Sequence, residues 1–276
     1  MTAPPEFAVS SWSLHRLIGI AFPDSPEAPS RGEAVERWQP GGLPLMQLPR
    51  RLRAEGYSRL ELCHFHANRR DKAWLGKFRQ ALAGAGVTLQ SLLIDAGDIT
   101  HSEHHARDLA WILEWIAIAA ELGAETARVI AGKQRPDAAA LALSIDGLKT
   151  CAARGKALGV KITTENWFDT LGTPESVLHV LDACGGEVGF LADTGNWKGT
   201  SKFAGLEAIF ARADYCHAKA YFDENLTIDS ADFSRCIAAA KTAGYSGPFT
   251  IVYDSAPPDE WRGIALTREF IEAAWR

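Results

Sequence analysis

The sequence predicts a closed (β/α)8, or TIM, barrel: a parallel eight-stranded sheet wrapped by outer helices. Three observations carry this. Eight β-prone runs alternate with eight helical ones along the chain. Such alternation implies parallel pairing, because each crossover must return the chain to the same edge of the sheet. The length, 276 residues, suits a fold that typically takes about 250 residues as one domain. No Gly-rich phosphate fingerprint follows an early strand, which counts against the competing doubly wound sheet. We therefore read residues 1–276 as one barrel domain.

In order, the first strand lies in the run from Phe7 to Ser11. Residues 14–43 follow, rich in Pro and Gly and poor in periodicity, a connection long enough to be a lid or an insertion. Pro44 to Glu55 reads as a helix, with proline early and Gly56 at its end. Arg59 to Cys63 is the second strand, and Asp71 to Ala85 a helix with Trp74, Leu75, Phe78 and Leu82 on one stripe. Leu89 to Ile94 forms the third strand. Ser102 suits the N-cap of a long helix to Leu122. Ala127 to Ile130, Val160 to Glu165, Val188 to Asp193, Ala213 to His217 and Phe249 to Tyr253 supply the remaining strands. Between and after them come helices over 137–158, from Thr173 onward, over 205–211, 230–243 and 259–275. Gly159 acts as a C-terminal stop and Thr173-Pro174 as an N-terminal start.

The composition narrows the function classes. A formal net charge of −5, without a Lys/Arg run, argues against nucleic-acid or anionic-membrane partners. Five cysteines at 63, 151, 184, 216 and 236, with no C-x-x-C spacing, fit a reduced compartment better than a disulfide framework. The amino terminus lacks the basic and apolar regions of a secretory signal, and no apolar run approaches the about 18 residues of a membrane span. A cytoplasmic enzyme-sized domain is the expectation.

The chemistry collects where the strands end, the face on which barrels of this kind carry their active sites. Glu165 closes the fifth strand in ITTENW, Asp193 the sixth in FLADTGNW, His217 the seventh in YCHAKAY and Asp254 the eighth in FTIVYDS. Each alone is more often a cap, a loop hydrogen-bonder or a core histidine. Together they sit on four successive strands, which are neighbours in a barrel. Three carboxylates so close cannot all stay ionised without positive charge between them. A divalent cation fits this set, and one imidazole among oxygens suits Mn2+, Mg2+, Zn2+ or Co2+. Lys219 shares a strand face with His217 and is placed either to contact a substrate oxygen or to pair with a neighbouring carboxylate.

The motifs ITTEN, LADTGNW, CHAKAY and the closing GYSGPFTIVYD resemble the strand ends of the xylose isomerase-like barrel superfamily, and within it the sugar phosphate isomerase/epimerase branch. The resemblance spans nearly the whole chain and is strongest from residue 160 onward. It implies a metal, with Mn2+ the first choice, held by Glu165, Asp193, His217 and Asp254. It also implies a sugar isomerase or epimerase acting on a keto sugar, polyol or related carbohydrate through a metal-stabilised enediolate. Glu165 and Asp254 would exchange protons on opposite faces of the substrate, and Lys219 would assist. Two positions depart from the pattern: many members carry Glu where Asp254 stands, and His where Asn196 stands.

Trp12, His66, Arg128, Trp167 and Asn196 are the candidate substrate contacts, whereas His101, His104 and His105 read as a solvated face at a helix start. Asp95 and Asp98 suit either loop hydrogen bonds or substrate contacts. The nearest enzymatic rival is a metal-dependent lyase or dehydratase on a keto sugar or inositol, since the same enediolate can expel a β-substituent. A DNA-repair phosphodiesterase on the same barrel would need more His and Glu ligands and a basic groove. A sugar-binding barrel that lost turnover through Asp254 is the reading outside enzymes. The 14–43 segment could cover a neighbouring copy's site as easily as its own, so a homo-oligomer stays open.

Overall fold

A computed structural model of the chain describes residues 5–29, 36–37, 42–68 and 71–276. Eight parallel strands close into a barrel: β1 Phe7–Ser10, β2 Arg59–Cys63, β3 Thr88–Ile94, β4 Thr126–Val129, β5 Lys161–Glu165, β6 Gly189–Asp193, β7 Tyr215–Ala218 and β8 Phe249–Ile251. Each pairs with the next, and β8 returns to β1 with Phe249 beside Phe7. The helices are α1 Leu48–Ala54, α2 Lys72–Ala85, α3 His105–Leu122, α4 Ala138–Leu158, α5 Pro174–Ala183, α6 Lys202–Phe210, α7 Ser230–Thr242 and α8 Glu260–Trp275. The predicted barrel is the observed one.

Local chemistry explains where the helices begin and end. The side chains of Asp71, Asp137, Asp229 and Asp259 each accept an amide of the first helical turn, and Thr173 forms a capping box with Ser176. Gly86, Gly123 and Gly159 stop α2, α3 and α4 in the left-handed region. Ser102 does not cap α3, which starts at His105. The His101 imidazole takes that place, its Nδ1 accepting the amides of Glu103 and His104 at 3.2 and 3.3 Å. Of the long connection at 14–43, residues 30–35 and 38–41 lie outside the described residues. The rest includes a helical turn, His15–Ile18, and a two-stranded pairing of Ile20–Ala21 with Glu36–Arg37.

The apolar core sits between the strands and the helices, where Trp115, Phe78, Phe190, Phe210 and Phe233 are among the fully buried side chains. The inside of the barrel is polar instead. Gln90 on β3 donates to Glu61 on β2 at 2.8 Å and to Thr250 on β8 at 2.9 Å, and Thr250 donates to Glu61 at 3.0 Å. Tyr215 on β7 bonds Thr163 on β5 at 2.8 Å. Bonds between strands that are not neighbours must cross the lumen. Together these link both halves of the wall.

One glycine shows how closely the outer layer approaches the barrel. A Cβ at Gly155 of α4 would stand 2.4 Å from the Val160 carbonyl and 2.8 Å from Ile162. Gly155→Ala should therefore push α4 off β5 and destabilise the fold by about 1–3 kcal/mol, measured as a fall in the urea midpoint.

Candidate metal centre and cavity

Glu165 and Asp193 are the last residues of β5 and β6, and His217 lies in the same register row as Asp193 on β7. Side-chain staples hold these strand ends in line. Asn166 accepts the Asp193 amide at 2.7 Å and donates to its carbonyl at 3.0 Å, tying β5 to β6. Thr194 accepts the Lys219 amide at 2.9 Å, tying β6 to β7. Asp193 Oδ1 accepts the amides of Gly195 and Asn196 at 2.5 and 2.8 Å, a tight turn closed by the aspartate itself. A Cβ at Gly195 would come within 2.5 Å of the Lys219 side chain, so the turn needs glycine there.

The result is a buried cluster. Single ligand atoms of Glu165, Asp193 and His217 all lie within 4.8 Å of one another. His217 Nδ1 is 3.6 Å from Glu165 Oε1 and 3.5 Å from Asp193 Oδ2, while its Nε2 donates to Glu61 Oε2 at 2.6 Å across the lumen. Glu165 Oε2 and Asp193 Oδ2 are buried without a hydrogen-bond partner. Glu165 Oε1 and Asp193 Oδ2 converging on one imidazole nitrogen are the donor set of a hard to intermediate divalent cation. The residues fit a metal.

The electrostatics follow from crowding. Burial alone would raise the Asp193 carboxyl, but Lys219, with Nζ 3.4 Å away, and His217 outweigh it and hold it well below the usual range. Burial disfavours a charged His217, yet Glu61, Asp193 and Glu165 together raise its pKa well above the ordinary value. Lys219 is likewise raised against burial, by Asp193, Glu165 and Asp254. Arg128 is 2% exposed, bonded to Asp95 and to the Ile94 carbonyl, with Nε 3.1 Å from Glu165 Oε2. Burial pushes Asp95 up, but Arg128 and His64 overcome it and bring Asp95 to about 2.

Above the cluster opens a cavity of about 310 Å3. Trp12, Arg128, Trp167, Asn196, Lys219 and Asp254 line it together with the three cluster residues. Arg128 stacks on Trp167 with 5.1 Å to the ring centroid, and Trp12 stacks on His15 at 4.4 Å. Asn196 Nδ2 donates to Glu165 Oε1 at 2.8 Å and so holds the strand-five glutamate. Asp254 stands exposed at the rim of this cavity, outside the three-residue cluster.

His66 is not at the mouth, contrary to expectation. The helical turn after β2 folds it inward, where it is 1% exposed and hydrogen-bonded to Ser11 Oγ at 2.9 Å. Asp98 is a loop hydrogen-bonder, accepting from Thr100 and Lys133. Sequence reasoning missed Glu61, which is fully buried and anchors His217. Its signal was present: an acid between Leu60 and Leu62 in a β-strand projects to the opposite face, and that face is the lumen.

Known proteins share this fold. A model of the xylose isomerase-like TIM barrel family matches residues 49–271, and the chain belongs to that family. No curated protein matches it in sequence. Among solved structures, a xylose isomerase-like TIM barrel protein from Mycobacterium smegmatis in complex with magnesium superposes with a TM-score of 0.68 at 16% identity, covering 99% of this chain and 98% of that one. An L-ribulose 3-epimerase gives 0.66 at 15% identity over 98% and 92%. The 3-keto-D-glucoside 4-epimerase from E. coli gives 0.63 at 13% identity over 83% and 94%. No helix among the described residues is long and apolar enough to cross a membrane.

Two predictions follow from this geometry. Glu61→Gln removes the charge that orients the His217 ring, so the affinity for a divalent cation, read by calorimetry, should fall by about 10- to 100-fold, as outer partners of ligating histidines typically show. Burial, with His15 and His64 nearby, lowers His66 to about 3. The unfolded chain takes up this proton near pH 6.5 and the folded chain does not, so His66 costs stability as pH falls from about 7 toward 3. Between pH 7 and pH 5 the wild type should lose about 2 kcal/mol more than His66→Gln in urea titrations.

Proposed function

We propose that this chain is a divalent-metal-dependent sugar isomerase or epimerase acting on a keto sugar, polyol or related carbohydrate. The observation that carries the reading is the buried trio of Glu165, Asp193 and His217, whose ligand atoms converge within 4.8 Å of one another beneath a cavity walled by Trp12 and Trp167. Family membership supports it. So do the epimerases among the structural neighbours, whose low identity carries the fold alone. A cation held by Glu165, Asp193 and His217 would supply Lewis acidity to a substrate carbonyl, and we favour Mn2+.

The remaining steps belong to the side chains. Glu165, oriented by Asn196 at one oxygen and neighboured by Arg128 at the other, takes the proton from the carbon next to the carbonyl. Asp254, at the rim of the same cavity, delivers a proton to the opposite face and so inverts that carbon. If Glu165 returns the proton to the neighbouring carbon instead, the product is the isomer. The charged Lys219 faces the cavity and donates to a substrate oxygen. Trp12 and Trp167 present flat apolar surfaces to the C–H face of a sugar ring. Cytoplasmic location and action as a single barrel domain remain part of the proposal.

The test uses Mn2+-loaded protein and a panel of ketoses in D2O. Recovered sugar carrying deuterium at the carbon next to the carbonyl supports the reading. A dehydrated product, or no label in any ketose, overturns it. Glu165→Gln should slow exchange by about 10²- to 10⁴-fold. Asp254→Asn should lower turnover while elemental analysis still finds one metal per chain, whereas loss of the metal would make Asp254 a ligand.

A further inference from the structure

Beside the cavity runs a second depression of about 900 Å3. It lies between the loop after β5 and the loop after β6, on the same face of the barrel, and shares Trp167 and Asn196 with the cavity. Phe168 forms part of its wall. Among the described residues it is the one large apolar side chain left exposed, at 37%. Its backbone has φ of 54°, the left-handed region that a bulky residue rarely enters. Strain of this kind persists where surrounding structure fixes it, and it gathers at ligand sites. The ring stacks on Trp167 with centroids 4.4 Å apart, and Lys133 stands 5.2 Å from its centroid on the ring face. The two aromatics thus make a continuous platform leading out of the cavity.

The polar groups of the groove define what lies on that platform. Its charged lining is balanced, Asp169 and Glu175 against Lys198 and Lys202; Lys198 rests 4.1 Å from the Tyr221 ring centroid, and Lys202 is already paired with Asp232 at 2.6 Å. No surplus of positive charge remains for a phosphate. A neutral, hydroxyl-rich unit with one apolar face matches the lining. The cavity alone sits at the small end of ligand sites, which span about 300–1,000 Å3, and the groove extends it toward the large end.

We propose that the groove is a subsite for a second, uncharged sugar unit, so that the substrate is a glycosylated ketose whose keto unit occupies the cavity and whose glycosyl unit lies on Phe168. This rests on the carbohydrate reading of the cavity and adds the substrate class. The experiment compares calorimetric binding of D-fructose with that of isomaltulose and lactulose, ketoses bearing one glucosyl or galactosyl unit, to Mn2+-loaded protein. Phe168→Gly removes the ring at a backbone position that glycine adopts readily, and Phe168→Tyr keeps the stacking surface.

At least one disaccharide should bind about five- to tenfold more tightly than fructose, the scale of one aromatic stack. Phe168→Gly should abolish that preference with fructose binding unchanged, and Phe168→Tyr should retain it. Disaccharides that bind no more tightly than fructose, or affinities that fall together in Phe168→Gly, overturn the subsite. Deuterium exchange into fructose is followed separately. Exchange without a disaccharide preference refutes the groove alone, and the preference without exchange refutes the reaction alone.

Discussion

Four carboxylates crowd one end of this barrel: Glu61, Asp95, Glu165 and Asp193. Removing an anion from water costs several kcal/mol unless a partner meets it, so the position of every nearby cation follows from that need. His217 answers Glu61, Lys219 answers Asp193, and Arg128 is shared between Asp95 and Glu165. These three bases come from β7, the residue beyond it, and β4, while the acids come from β2, the loop after β3, β5 and β6. Charge neutralisation therefore binds opposite walls of the barrel together. Four acids still face only three bases, and a divalent ion at Glu165, Asp193 and His217 would offset the remaining negative charge.

The fold was legible because its signals are local and repeated. Strand runs, aspartate caps at Asp71 and Asp137, and glycine stops such as Gly159 act within a few residues, and eight repetitions leave little freedom of architecture. The strand-end residues Glu165, Asp193 and His217 were legible for a related reason: neighbouring strands in sequence are neighbours in space. Helix starts were less so. Nothing at Ser102 distinguishes it from a cap, and only the turn that brings His101 back onto two amides decides the matter.

What escaped the sequence depended on contacts between distant strands. Glu61 reads as an ordinary acid in an apolar strand until β2 is seen opposite β7. His66 reads as a polar group beyond a strand end, but a single helical turn carries it under Ser11 and away from the cavity. Arg128 reads as a substrate contact and does line the cavity, but its pairing with Asp95 and its approach to Glu165 could not be read from the sequence. In each case the partner lies more than 30 residues away, beyond the reach of pattern.

The bond from Glu61 to His217 also bears on how such a barrel can be divided. Glu165, Asp193 and His217 all belong to the last four strands, which as a half-barrel would carry the whole donor trio. The group that sets the angle of the imidazole belongs to the first four, as does Arg128 beside Glu165. Duplication or exchange of half-barrels would thus transmit the cluster without the residues that aim it, and a recombined chain would have to recover both an acid on its second strand and a base on its fourth.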